Sequence, residues 1–340
     1  MVPSRAVAET DSAKATVMSA AEVVGVGNAI VDVIGQVGDD FIAEHDLNRG
    51  SMTLIEEPRA EELTTLMPDG LKESGGSAAN TMVGVASFGQ SSTYIGKVRS
   101  DDLGTAFIEG IREAGVGFDT TPATDGPASG RCLIQVTPDG ERTMNTFLGA
   151  SSRLTIADID EQLVANAAVL YCEGYLWDLE EAKAAIRHAM DIAGANGVTA
   201  SLTLSDPFAV DRHRDEWLDL IADKVDLVFG NHDEIVSLLG VDDNDQIVAK
   251  LRSLTKTSCV TLGENGSMII TADEVLQIPA VEVDQVVDTT GAGDLYAAGV
   301  LAGLAKGATL EQAGLMGSCA AAEIITHIGA RPLQRLEGLC

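Results

Sequence analysis

The sequence is poor in several things, and each shortage excludes something. Basic residues are few: 22 Lys and Arg stand against 52 Asp and Glu, a formal net charge of −30. Such a surface repels phosphate backbones and anionic lipid, so binding to nucleic acid or a membrane surface is not expected. No apolar run approaches the roughly 18 residues a membrane span needs. The five cysteines (Cys132, Cys172, Cys259, Cys319, Cys340) form no CxxC pair and no Cys/His cluster with zinc spacing. They read as reduced thiols of a cytoplasmic protein. Aromatic residues are scarce too, only 4% of the chain, so those that fall together carry weight. The first 20 residues are rich in Ala, Ser and Thr without an apolar stretch, which predicts a disordered tail rather than a signal peptide.

Standard nucleotide loops are also lacking. Gly25-Val-Gly27 begins like a dinucleotide fingerprint, but Ile30 takes the third glycine's place. Six residues separate Gly89 from Gly96-Lys97 and Val98 follows, so this is no Walker A loop.

What the chain does have is alternation. Short apolar runs at 92–95, 168–171, 198–203, 227–229, 259–262 and 267–270 are separated by helical patterns such as 180–195 and 247–254. That pattern predicts a parallel sheet covered by helices on both faces, an α/β fold of three layers. Two stretches, 36–57 and 118–148, break the rhythm. Pro138-Asp-Gly140 lies between two alternating runs and reads as a hairpin turn. These stretches predict a small β lid, with 21–35, 58–117 and 149–340 forming the core.

The segment Asp288-Thr-Thr-Gly-Ala-Gly-Asp294, followed by a long small-residue helix, is the strongest chemical signal. Gly291, Ala292 and Gly293 carry almost no side chain, so their N–H groups can gather round an anion at a helix N-terminus. Asp294 opens that helix. Taken alone, it could simply be an acid satisfying the helix dipole.

This segment resembles the C-terminal signature of the PfkB/ribokinase family of kinases. Ser74-Gly-Gly-Ser-Ala-Ala-Asn80, with Tyr94-Ile-Gly-Lys-Val98 beyond it, resembles the N-terminal signature. Asn231-His-Asp-Glu234 resembles the family's Asn-x-x-Glu element, and Thr261-Leu-Gly263-Glu-Asn-Gly266 its nucleotide-bordering turn. The resemblance implies a ribokinase-like core with a β lid and phosphoryl transfer from ATP. Asp294 would be the base, with an anion hole at Gly291–Gly293 and a hinge at Gly75 and Gly76. It also implies ATP contacts at Asn231, Thr261, Gly263, Gly266 and Thr290. Glu234 would hold Mg²⁺ directly or through water, although Asn231 and Glu234 also suit a plain helix cap. A monovalent cation such as K⁺ is expected near Asp288.

For the acceptor, Gly25-Val-Gly-Asn28 through Asp32, Glu173-Gly-Tyr175-Leu176-Trp177 and Ser205-Asp-Pro-Phe208 are similar to adenosine kinases, bacterial ones especially. Asn28, Asp32, Gly75, Gly76, Ser77 and Asn80 would meet the ribose, and Tyr175, Leu176 and Phe208 the base. Asp32 can accept from two vicinal hydroxyls. The expected reaction is phosphorylation of adenosine at its 5′-hydroxyl. A sugar kinase acting on ribose, fructose or 2-keto-3-deoxygluconate is the alternative, and a catalytically silent nucleoside-binding regulator is a third reading. The chain is expected to act as a monomer or a homodimer.

Overall fold

The computed structural model describes residues 23–68 and 70–339. The expected N-terminal tail lies outside them. The first part of the chain carries β1 (Val23–Val26), β2 (Ile30–Gln36), α1 (Asp39–Glu44), β3 (Met52–Leu54), α2 (Glu57–Leu66) and β4 (Leu71–Gly75). Then come α3 (Ser77–Ser87), β5 (Ser92–Ile95), α4 (Asp102–Glu113), β6 (Gly130–Val136) and β7 (Arg142–Phe147). The middle holds α5 (Glu161–Ala165), β8 (Val169–Glu173), α6 (Glu180–Asn196), β9 (Thr199–Thr203) and α7 (Pro207–Lys224). It continues through β10 (Leu227–Asn231), α8 (His232–Leu239), α9 (Asn244–Leu254) and β11 (Thr257–Thr261). The chain closes with β12 (Ser267–Thr271), β13 (Val275–Ile278), α10 (Ala292–Ala305) and α11 (Leu310–Ile324).

The large sheet has the order β13-β12-β11-β10-β9-β8-β1-β5. From β5 to β11 every pairing is parallel, while β12 and β13 add antiparallel strands at one edge. Alternation along each strand splits its side chains between two cores. Val23, Tyr171, Phe229, Cys259 and Ile269 pack with α3, α10 and α11. Val24, Leu170, Leu202, Val228 and Val260 pack with α6, α7, α8 and α9. Strands buried on both faces explain the continuous apolar runs in the sequence.

The small sheet has the order β3-β7-β6-β2-β4. The expected hairpin joins β6 and β7, with Thr137 O accepting from Gly140 N at 2.8 Å. Its membership differs from expectation in one respect. Residues 30–35 and 71–75, read as core, pair in this sheet as β2 and β4. Sheet membership is decided by the partner strand, which a local pattern does not reveal. Val31, Val33 and Leu133 face the helices of the first core, whereas Ile30, Cys132, Ile134 and Val136 form a separate apolar cluster on the other face.

The reading of reduced thiols holds for Cys132, Cys172 and Cys259, which are buried and free, but Cys319 in α11 is disulfide-bonded. Among the described residues no helix is long and apolar enough to cross a membrane.

Candidate active site

The C-terminal ends of the parallel strands point to one edge of the large sheet, where ligands bind in open α/β folds. Asp294 is delivered there by the first turn of α10. Gly291 is the N-cap at φ +81°, a left-handed conformation that glycine adopts without penalty. It could not carry a side chain in any case: a Cβ would lie 2.9 Å from the Ala330 Cα. Gly293 is different, because a Cβ there would meet nothing within 4 Å. The loop is therefore pinned on one side and open on the other, as an anion cradle requires.

Asp294 is only partly exposed, and both oxygens are held. Ser77 Oγ donates to Oδ1 at 2.7 Å and Asn80 Nδ2 to Oδ2 at 3.2 Å. Both donors stand on the first turn of α3, so two helix N-termini converge on this carboxylate. Burial pushes its pKa up to about 6, against the opposing effect of the two hydrogen bonds. At neutral pH it is still largely ionised, and it is a better proton acceptor than an ordinary Asp.

On the acceptor side, Asp32 lies on the face of β2 that carries Ile30. Burial raises its pKa to about 7, with the nearby charges of Arg142 and Arg331 pulling the other way. Gly75 pairs with Ile30 on the adjacent strand, and a Cβ there would sit 2.4 Å from Asp32 Oδ2. Gly76 has φ +102°, and its own Cβ would collide with the Asn28 carbonyl. The two glycines thus allow the chain to leave the small sheet beside Asp32.

Two expected acceptor contacts, Asn28 and Phe208, fall elsewhere. Asn28 is buried, and its side chain is used inside the protein: Nδ2 donates to Glu173 Oε1 at 2.9 Å and Oδ1 accepts from Ser151 Oγ at 2.9 Å. Leu176, although a core residue, lines a cavity together with Tyr175. Phe208 is 75% exposed and outside that cavity. Ser205 adopts φ +71°, Asp206 caps α7 and Pro207 opens it, so the turn throws the Phe208 ring outward. Tyr175 does line the cavity, a cleft of about 360 Å³ whose other walls include Leu54, Thr146, Leu148 and Arg153. Its hydroxyl donates to Ser205 O at 3.0 Å, which fixes the ring.

On the nucleotide side, Asn231, Thr261 and Gly263 line a second cleft of about 540 Å³ together with His232, Asn244 and Asn265. Gly266 does not line it. Gly266 has φ +81° and packs against Ile278 O, so its role is to turn the β11–β12 hairpin. Thr290 donates from N and Oγ1 to Asp288 Oδ1, at 2.9 and 2.6 Å. Asn231 and Glu234 form a full capping box: Asn231 N and Nδ2 donate to the carboxylate at 3.0 and 2.7 Å, and Glu234 N donates back to Oδ1. Burial raises the Glu234 pKa to about 7. With each oxygen already accepting a hydrogen bond, and no cluster of three metal-binding side chains among the described residues, Glu234 suits a Mg²⁺ ion that keeps its waters better than direct ligation.

The expected monovalent-cation site does not fit the Asp288 side chain. Arg142 Nη1 is 2.5 Å from Asp288 Oδ2 in an ion pair that is almost entirely buried, and Gly329 N donates to the same oxygen at 3.1 Å. Burial alone would raise Asp288, but the Thr290 and Gly329 hydrogen bonds and the Arg142 charge outweigh it and hold its pKa below the usual value. The carboxylate is already neutralised by a cation from β7.

Arg331 and Glu173 are not identified as site residues from sequence, and Arg142 only as one of four arginines, with Arg99, Arg131 and Arg153, that could meet the carboxylate of a sugar acid. Arg331 has Nε and Nη2 buried without a partner and lies near Asp32. For Glu173 a signal was present: it ends the otherwise apolar strand Val-Leu-Tyr-Cys-Glu, and a buried carboxylate requires partners.

Comparison with known proteins agrees with this geometry. The profile of the pfkB family of carbohydrate kinases matches residues 49–335. The adenosine kinase structure from Sinorhizobium meliloti is 45% identical, covers 94% of this chain and 98% of its own, and superposes with a TM-score of 0.86. A probable sugar kinase protein from Rhizobium etli CFN 42 is 43% identical, covers 95% of this chain and all of its own, with a TM-score of 0.87. Probable fructokinase-6, chloroplastic, of Arabidopsis thaliana is 31% identical over 71% of this chain, a match that spans 65% of that relative. The chain belongs to the pfkB family of carbohydrate kinases. It is accordingly a kinase, an ATP-dependent phosphotransferase that acts on a hydroxyl group.

Proposed function

We propose that the acceptor is adenosine and that its 5′-hydroxyl is phosphorylated to give AMP. The observation that carries this reading is the character of the acceptor side. The face of the small sheet bearing Asp32 is mainly apolar, with Ile30, Cys132, Ile134 and Val136 clustered and Met144 and Leu148 packed against them. The adjoining cleft has the Tyr175 ring as one wall. A purine needs flat apolar walls, while a free sugar needs a polar partner for nearly every hydroxyl. Asp32 supplies the one requirement both share, an acceptor for vicinal hydroxyls. The similarity to the Sinorhizobium meliloti adenosine kinase supports the same choice.

In this reading Asp294 takes the proton of the 5′-hydroxyl. The oxygen forms a bond to the γ-phosphorus of ATP, the bond to the β,γ-bridging oxygen breaks, and ADP leaves. Ser77 and Asn80 hold the carboxylate in place. The amides of Gly291, Ala292 and Gly293 receive the charge on the transferring group. Asn231, Thr261 and Gly263 bind the nucleotide. Glu234 would hold Mg²⁺ through water, and the ion would supply neutralisation of the phosphate charge.

A sugar acceptor is the second reading, favoured by Glu57, Ser152 and Arg153 in the same cleft and by the similarity to the Rhizobium etli protein. ADP release measured over adenosine, inosine, ribose, fructose and 2-keto-3-deoxygluconate separates the two. Adenosine is expected to give the highest kcat/KM; a sugar surpassing it would replace this reading.

A further inference from the structure

Four chain crossings connect the two sheets; two of them bond one buried carboxylate directly, and the other two reach it through those. The crossing from β1 to β2 contributes Asn28, whose Nδ2 donates to Glu173 Oε1 at 2.9 Å, with Asn28 N at 3.4 Å. The crossing from β4 to α3 contributes Ala78, whose N donates to Glu173 Oε2 at 2.9 Å. The crossing after β7 contributes Ser151, bonded to the other end of the Asn28 amide at 2.9 Å. The crossing into β6 joins through Ala128, whose carbonyl accepts from Ala150 N at 2.8 Å. It also joins through Gly130, where a Cβ would lie 2.6 Å from Leu148 O and 3.2 Å from both Ala29 O and Ser151 Oγ.

Glu173 itself is 1% exposed and comes from β8, in the middle of the large sheet. All its partners are N–H donors, which suits a carboxylate and nothing else of that shape. It also completes a helix. The N-cap of α3 is Gly76, which has no side chain to offer, so Glu173 supplies from a distant strand the acceptor that a local cap would provide. That helix carries Ser77 and Asn80, the two donors on Asp294.

We propose that Glu173 is a positioning residue: it fixes the small sheet relative to the large one and, through α3, sets the alignment of Asp294 with the acceptor hydroxyl. This rests on Asp294 being the base but not on which acceptor is used. If the pivot is loosened, the small sheet no longer excludes water from the transferring phosphate, and hydrolysis competes with transfer.

The test uses the full chain and whichever acceptor the wild type phosphorylates, so failure of the adenosine reading leaves it intact. Glu173→Gln keeps the shape but turns one acceptor into an N–H facing N–H donors. Its kcat is expected to fall about 10- to 100-fold, matching the cost of one unsatisfied buried group. The ratio of ADP released to acceptor phosphorylated should rise clearly above that of the wild type, while the KM for ATP changes by less than about threefold. A merely structural carboxylate would lower the amount of folded enzyme without moving that ratio. A folded Glu173→Gln enzyme with the wild-type ratio overturns the proposal, whatever its kcat. Should that variant fail to fold, Ser151→Ala decides: it removes the link to Asn28 together with a bond to Leu148 O within the same crossing, and a raised ratio supports the pivot while an unchanged one refutes it.

Discussion

The loop around Asp294 and the small sheet above it are built in opposite ways. The loop is local: Asp288, Thr290, Gly291 and Asp294 lie within seven consecutive residues, and Thr290 bonds the Asp288 carboxylate two positions away. The acceptor side is assembled from afar. Glu173 meets partners 95 and 145 positions distant, and Arg142 meets Asp288 across 146. The loop's own residues are contiguous, although its two carboxylates are held from afar, Asp294 by Ser77 and Asn80 and Asp288 by Arg142; the wall beside Asp32 is drawn from several strands and can be altered one side chain at a time.

The largest effect should come from the local half. Asp294→Asn leaves the hydrogen-bonding shape but no base, and kcat should fall on the order of 10²–10⁴-fold. Steady-state ADP release checks this, and retention of more than about a tenth of the activity would mean the proton goes elsewhere.

Next comes the distant half. Asp32→Ala removes an ionised acceptor, worth about 1.5–3 kcal/mol per hydrogen bond, so the acceptor KM should rise roughly 10- to 150-fold. The KM for ATP should stay within about threefold; an equal rise in both would blur the division between the two halves.

The pH profile sharpens the same contrast. Asp294 must be ionised to act, so activity should fall as pH drops through about 6. Burial raises Asp32, Glu173 and Glu234 to about 7 as well. These four carboxylates bind protons more tightly folded than unfolded, so their ionisation destabilises the fold as pH rises from about 4 to 7. Acid inactivation near pH 6 should therefore occur without loss of structure from these groups. Parallel activity and circular dichroism titrations test this, and coincident curves would contradict it.

The smallest effect is expected at Phe208. Its ring is in solvent, and Phe208→Ala should change the adenosine KM by less than about threefold. A tenfold loss would show that the ring folds back over the base. K⁺ should likewise matter little, since Arg142 already neutralises Asp288; replacing K⁺ by a bulky organic cation should leave kcat within about twofold.

What sequence revealed follows the same division. The Thr-Thr-Gly-Ala-Gly-Asp segment could be read because all its chemistry is contiguous. The three-layer core was legible because strands buried on both faces are apolar throughout. Residues 30–35 and 71–75 fall within the expected core because a local pattern does not reveal which sheet a strand joins. The outward turn of Phe208 was missed because it depends on the positive φ of Ser205, a conformation uncommon outside glycine. Asn28 reads as a ligand residue through the resemblance of its segment to adenosine kinases, and its polar side chain gives no hint of a buried partner at position 173.

The most direct test of the account is the ³¹P NMR spectrum of the full chain turning over adenosine with MgATP. The account predicts a 5′-AMP resonance that grows in step with ADP, and no reaction when 5′-deoxyadenosine replaces adenosine. ADP formed without AMP, or AMP absent while ribose or fructose is phosphorylated, would contradict it.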